Sequence, residues 1–368
     1  MALAEGVNVA RRYQRAISID SDMSDPTALE GFICPRSSAE VLETMAHHVL
    51  ATGQGAFTWT GPYGTGKSSL AVVLGAALNG TKRLRVEAES LLGKPTFDTL
   101  AKALPPRTRG WRVLPVAGRR DRPAQVLGEA IEAAEWFGKR VSESWTEPRV
   151  LEVLEEIAAR NPRAGGGLCV FIDEMGKFLE AAAHEGSDIH LFQQLAERAS
   201  RSRGRLIVVG ILHQAFQEYA HRLSRETRDE WAKIQGRYVD LPINTAGDEQ
   251  IELLGRAIEN GRQLCPPSDL ARGVAALSHQ RASGNLAERL EDCWPLHPIV
   301  ACLLGPLSRR RFGQNQRSLF AFLNSGEPLG FQEFLRAADE DDLYTPVRLR
   351  HRVPVEDNRP AYKSQRIC

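Results

Sequence analysis

Gly61-Pro62-Tyr63-Gly64-Thr65-Gly66-Lys67-Ser68 fits the pattern G-x-x-x-x-G-K-[ST], a loop that binds phosphate chains. The flanking residues decide whether the match carries weight. Ala56-Phe57-Thr58-Trp59-Thr60 reads as a short buried strand, and Ser69 to Leu78, rich in Ala, Val and Leu, reads as a helix. Strand, loop and helix in that order are what the motif needs. The glycines let backbone N–H groups point inward at a triphosphate, and the helix N-terminus adds partial positive charge. On this reading Gly61, Pro62, Tyr63, Gly64, Thr65, Gly66, Lys67, Ser68 and Ser69 contact ATP. Lys67 reaches the β- and γ-phosphates, and the Ser68 hydroxyl sits on Mg²⁺.

A second anchor lies downstream. Leu168-Cys169-Val170-Phe171-Ile172 is an unbroken apolar run ending in Asp173-Glu174, the Walker B pattern. A run without alternation suits a strand buried on both faces, as in a parallel sheet. Asp173 at its tip is the second metal-holding candidate, and Glu174 the general base that polarises an attacking water. Many strands end in solvated acids, so the pattern gains its force from the phosphate loop upstream. Leu206 to Leu212 is another unbroken strand, with His213-Gln214 at its end. Gly236-Arg237 leads directly into a further strand, Tyr238 to Ile243.

Composition excludes several classes. The chain has 368 residues, 42% hydrophobic and 25% charged, with formal net charge +1. That is the profile of an ordinary water-soluble fold of one or two domains, and it gives no general pull toward nucleic acid. Cys34, Cys169, Cys265, Cys293, Cys302 and Cys368 show no C-x-x-C spacing, which suggests free thiols in a reducing compartment. No apolar stretch is long enough to cross a membrane, and no signal pattern opens the chain, so the expected location is the cytoplasm. The histidines show no metal-ligand spacing, and no nuclease, protease or deaminase constellation is evident.

The remaining segments follow from periodicity. Residues 1–30 read as a polar lead-in without period. Gly31 to Arg36 precedes a helix capped by Ser37 or Ser38, with Val41, Leu42, Met45 and Leu50 at helical spacing. Leu84-Arg85-Val86 is a candidate strand, and Trp111 to Val116 a stronger one, followed by a turn rich in Gly and Arg. Leu127, Ala130, Ile131 and Ala134 mark one helix face, and Val150, Leu154, Ile157 and Ala158 another. From Asp248 to about residue 335 the pattern is helical, and residues 336–368 lose their period and read as a poorly packed tail. The expected fold is α/β, a doubly wound parallel-sheet P-loop NTPase core over 31–245, followed by a small all-α lid over 246–335.

This order of motifs resembles the AAA+ ATPase family and the related STAND-like ATPases. Gly61 to Ser68 match Walker A, and Asp173-Glu174 match Walker B. The resemblance puts His213 or Gln214 at the first sensor position and Arg237 where a trans-acting arginine finger stands; Arg237 also reads as a plain edge arginine. It implies a homo-oligomer and a protein partner or effector. The interval between the Walker motifs is long for the family and suggests a helical insertion around 124–160. In such ATPases the segment ahead of the phosphate loop can pack on adenine, a role open to Gly31–Arg36 beside ordinary core packing. Pro295-Leu296-His297-Pro298 and the phrase Gly313 to Leu323 resemble segments of bacterial anti-phage ATPases of the BREX type. Arg317 in that phrase is a candidate lid sensor touching nucleotide, or a surface arginine on a helix whose core face is Leu319, Phe320 and Phe322. Arg309-Arg310-Arg311, with Arg348, Arg350 and Arg352, could bind phosphates and give DNA handling as an alternative reading.

Overall fold

The computed structural model describes residues 3–10, 17–23, 25–30, 32–79, 81–106, 110–137, 142, 144–160, 166–185, 189–220, 223–245, 247–260, 267–277, 285–309 and 319–352. Arg317, Arg310 and Arg311 lie outside the described residues, as does most of the phrase Gly313–Leu323. The chain divides into two compact units, Arg15–Glu249 and a second one made of Met1–Gln14 with Gln250–Cys368.

The first unit holds a five-stranded sheet. Its strands are β1 (Ala56–Thr60), β2 (Arg112–Ala117), β3 (Leu168–Asp173), β4 (Leu206–Leu212) and β5 (Val239–Pro242). All pairings are parallel, in the order β2-β3-β4-β1-β5. The order reverses beside β1, which opens a crevice at the carboxyl ends of β1 and β4. Alternation on the buried strands feeds two cores. Cys169, Phe171, Ile207 and Val209 face one side with Trp59, Leu42, Leu70 and Leu100. Val170, Ile172, Leu206 and Val208 face the other with Leu127, Ile131, Leu154 and Leu195. Helices therefore cover both faces, and the core is a doubly wound parallel α/β sheet.

Register sets the site. Thr60 lies opposite Leu212, and Ala117 opposite Asp173. The phosphate loop, the acid tip of β3, the His213 turn and Gly118 thus all leave the sheet at one end.

Several local expectations change. Leu84-Arg85-Val86 is helical within Lys82–Leu92. Val86 is exposed while Ala88 and Leu92 are buried, so helical spacing overrides a three-residue apolar run. The helix Arg36–Thr52 takes no cap from its own serines. Ser37 N–H and Oγ instead donate to the Glu249 carboxylate, at 2.9 and 2.7 Å. The helices Pro123–Ala133 and Glu147–Ala159 sit on the sheet as the crossover between β2 and β3. The helices Lys82–Leu92 and Lys94–Ala103 precede β2 and pack on the opposite face.

The second unit is mostly helical but not purely so. Val7–Val9 pairs antiparallel with Ile258–Asn260. The 1–30 segment is therefore divided, since 3–10 belongs here and Ile19 and Leu29 are buried in the core of the first unit. Of the expected tail 336–368, Ala338, Tyr344 and Leu349 are buried, and 353–368 lie outside the described residues. Tyr344 is fully buried, edge-on to Phe322 and Phe334, and its hydroxyl donates to Leu329 O at 2.6 Å. Arg348 lies over the Phe334 ring and beside Glu333, which takes it out of any free basic run.

Candidate nucleotide site

The loop after β1 turns twice through left-handed backbone, at Gly64 (φ 78°) and Gly66 (φ 80°). Gly61 is forced by contact: a Cβ there would lie 2.4 Å from Ile243 O. The helix Lys67–Leu78 begins behind Gly66 with no side-chain cap and no acid in its first turn. Its first internal bond is Leu70 N–H to Gly66 O, at 2.8 Å. The N–H groups ahead of Leu70 have no partner inside the helix, which is the setting that accepts an anion.

Lys67 is buried and folds back into the loop. Its ammonium donates to Gly61 O (2.6 Å) and Pro62 O (2.7 Å), and lies 3.4 Å from Thr65 Oγ1. Burial pulls it down to about 8, and the charge of Asp173 offsets part of that. Thr65 Oγ1 in turn donates to Pro62 O at 3.0 Å.

Ser68 and Asp173 meet across the two motifs. Ser68 Oγ donates to Asp173 Oδ2 at 2.7 Å, and Asp173 Oδ1 accepts the Glu174 N–H at 2.9 Å. Burial pushes the Asp173 carboxyl up, and the Ser68 hydrogen bond is the largest opposing effect. A hydroxyl beside a carboxylate is a hard-oxygen donor set. It suits Mg²⁺, which binds through one or two protein oxygens and keeps the rest for phosphate and water. Among the described residues no cluster of three or more His, Cys, Asp or Glu could hold a metal alone.

Glu174 stands in left-handed backbone at φ 50°. Its Oε2 is ion-paired with Lys177, on the following helix Gly176–Glu185. Gly118 locks this tip from the side. Its N–H donates to Asp173 O at 2.7 Å, and a Cβ on it would meet Glu174 O at 2.4 Å.

At the tip of β4, the half-buried His213 ring stacks on Tyr63 of the phosphate loop, with centroids 3.5 Å apart at 21°. Gln214 is exposed. The structure therefore brings His213, rather than Gln214, onto the loop. Tyr219 is drawn in behind it. Burial raises its phenol to about 12, partly countered by backbone hydrogen bonds from His213 and Gln214. Its oxygen would lie 2.3 Å from a Cβ on Gly176.

Arg237 is elsewhere. It precedes β5, its carbonyl accepts from Gln54 Nε2 at 3.3 Å, and Gln54 precedes β1. That is the amino end of a parallel sheet, and the phosphate loop leaves the carboxyl end. A five-residue strand, roughly 17 Å, separates them. Within one chain Arg237 is bound to Glu197 Oε1 (2.9 Å) and Lys233 O (2.9 Å). Arg317, the other arginine candidate, is outside the described residues.

Sequence reasoning missed Lys177, Gly118 and Tyr219. The three-residue spacing of Glu174 and Lys177 was readable, although Glu174 lies in the turn ahead of the helix that carries Lys177. The other two act through close approach across the sheet end, for which the sequence carries no local signal.

No family model matches the chain, and no curated protein does. Among solved structures, the chain is similar to the ORC2 protein of Aeropyrum pernix, described as ADPNP–ADP complexes. The TM-score is 0.40 at 14% identity, covering 85% of this chain and 71% of that one. It is also similar to the Aeropyrum pernix ORC1 protein in complex with DNA, with TM-score 0.35 and 15% identity, covering 81% and 68%. No helix among the described residues is long and apolar enough to cross a membrane.

Proposed function

We propose that the chain binds and hydrolyses ATP with Mg²⁺. The observation that carries this reading is the Ser68–Asp173 contact, at 2.7 Å, beside a helix N-terminus with no side-chain cap and no acid in its first turn. Nucleotide would be taken by the backbone of Gly61–Ser69, with Lys67 leaving its carbonyl partners for the terminal phosphates. Ser68 Oγ and Asp173 would hold the metal. Bound Mg²⁺ neutralises charge that develops on the phosphate oxygens. Glu174 orients and deprotonates the attacking water, and His213 contributes a polar contact from the neighbouring strand tip. Arg237, remote within its own chain, would serve the site of an adjacent copy in a homo-oligomer. Coupling to a protein partner, and a place in anti-phage defence, rest on the sequence phrases alone.

The lysine engaged with carbonyls and the glutamate engaged with Lys177 favour a second reading, a nucleotide-dependent assembly switch with slow turnover. Titration with ATP, with and without Mg²⁺, tests the binding site. Wild-type protein should bind more tightly with the metal, and Ser68→Ala should lose that difference. Equal affinity with and without Mg²⁺ in the wild type would count against the metal assignment.

A further inference from the structure

The pairing of Glu174 with Lys177 has a consequence that rests on reading Glu174 as the general base. Lys177 is fastened to Glu174 twice, through the side-chain ion pair and through its N–H, which donates to Glu174 O at 2.9 Å. The Glu174 backbone is held by its neighbours. Its left-handed conformation is held by Glu174 N–H on Asp173 Oδ1, and by Met175 N–H on Ile211 O at 3.1 Å. Gly118 lies alongside, where a Cβ would come within 2.4 Å of Glu174 O. Rotation of the Glu174 side chain is the motion that would free its carboxylate from Lys177.

We propose that Lys177 is a positioning residue that tethers the Glu174 carboxylate to the following helix in the nucleotide-free protein. Turnover requires its release. The tether is weak by construction. The two side chains are 45% and 36% exposed, and an exposed pair of this kind shifts a population by at most roughly five-fold. The released ammonium has a second acceptor within reach of helical spacing. Glu180 lies one turn further along the same helix, where it now accepts Arg120 at 3.2 Å.

The test measures acylation of the Lys177 amine by mass spectrometry in the full chain without nucleotide. Glu174→Gln should raise the Lys177 labelling rate by about two- to five-fold over wild type, in line with loss of an exposed pair. Equal rates would overturn the proposal. Turnover at saturating ATP and Mg²⁺ is read alongside. Lys177→Met should raise kcat by up to roughly five-fold with KM unchanged, and Lys177→Arg should restore the wild-type value. An unchanged or lower kcat in Lys177→Met would also overturn it. Wild-type turnover in Glu174→Gln would instead remove the general-base reading, so the two failures are distinguishable.

Discussion

At the scale of single residues, the site is defined by what burial does to Lys67. Its ammonium sits at about 8 in the folded chain and at an ordinary 10.5 when unfolded. The unfolded chain therefore binds the proton more tightly between those values, and this site makes stability rise with pH across about pH 8 to 10.5. Denaturant unfolding at pH 8 and pH 10 should show that slope in the wild type and its loss in Lys67→Met. Phosphate beside the ammonium reverses the effect, because a negative partner favours the charged form. ATP binding near pH 8.5 should then take up protons, seen as a calorimetric enthalpy that varies with the buffer's ionisation heat. A buffer-independent enthalpy would mean Lys67 does not meet phosphate. Gly118 is the other single residue with a sharp expectation. A methyl there would meet two backbone carbonyls, Glu174 O at 2.4 Å and Asp173 O at 2.8 Å, which cannot move aside as side chains do. Gly118→Ala should cost about 1–3 kcal/mol, measured as a lowered denaturation midpoint.

At the scale of elements, the helix Arg36–Thr52 is capped from far along the chain. Glu249 accepts both the N–H and the hydroxyl of Ser37, the work usually done by a local Ser or Asp. Glu249→Ala should cost about 1–2 kcal/mol in denaturant unfolding, and Ser37→Ala somewhat less, because Ser37 keeps its N–H. This cap shows where sequence reading stops. The strands β1, β3 and β4 were legible because each is a short apolar run bounded by polar or glycine residues, and the phosphate loop because its spacing is fixed by chemistry. Serine at 37 and 38 was legible as a cap, but the acid that does the capping is 212 residues away. Leu84-Arg85-Val86 misled for a different reason, since three residues cannot show whether the period is 2 or 3.6. Tyr344 was hidden in an acidic, aperiodic stretch, and only the aromatic cluster around it explains its burial. Within the site, Lys67, Ser68 and Asp173 were readable from their motifs. The stack of Tyr63 on His213 was not, because it depends on which two strands the sheet places side by side.

At the scale of the whole molecule, one arginine separates a self-sufficient site from a shared one. Arg237 stands at the amino end of the sheet, tied to Glu197. If it completes a neighbour's site, specific activity climbs with protein concentration while mass shows assembly, and Arg237→Ala flattens the climb without weakening ATP binding. Activity independent of concentration would confine the chemistry to one chain. Either way, the two motifs joined by Ser68 and Asp173 are proposed to form one site that binds ATP and cleaves it. Binding and turnover of ATP with Mg²⁺, measured side by side on wild type, Lys67→Ala and Glu174→Gln, test it most directly. Lys67→Ala should lose binding, and Glu174→Gln should keep binding while turnover falls by at least about 100-fold. Wild-type binding in the first variant together with wild-type turnover in the second would contradict it.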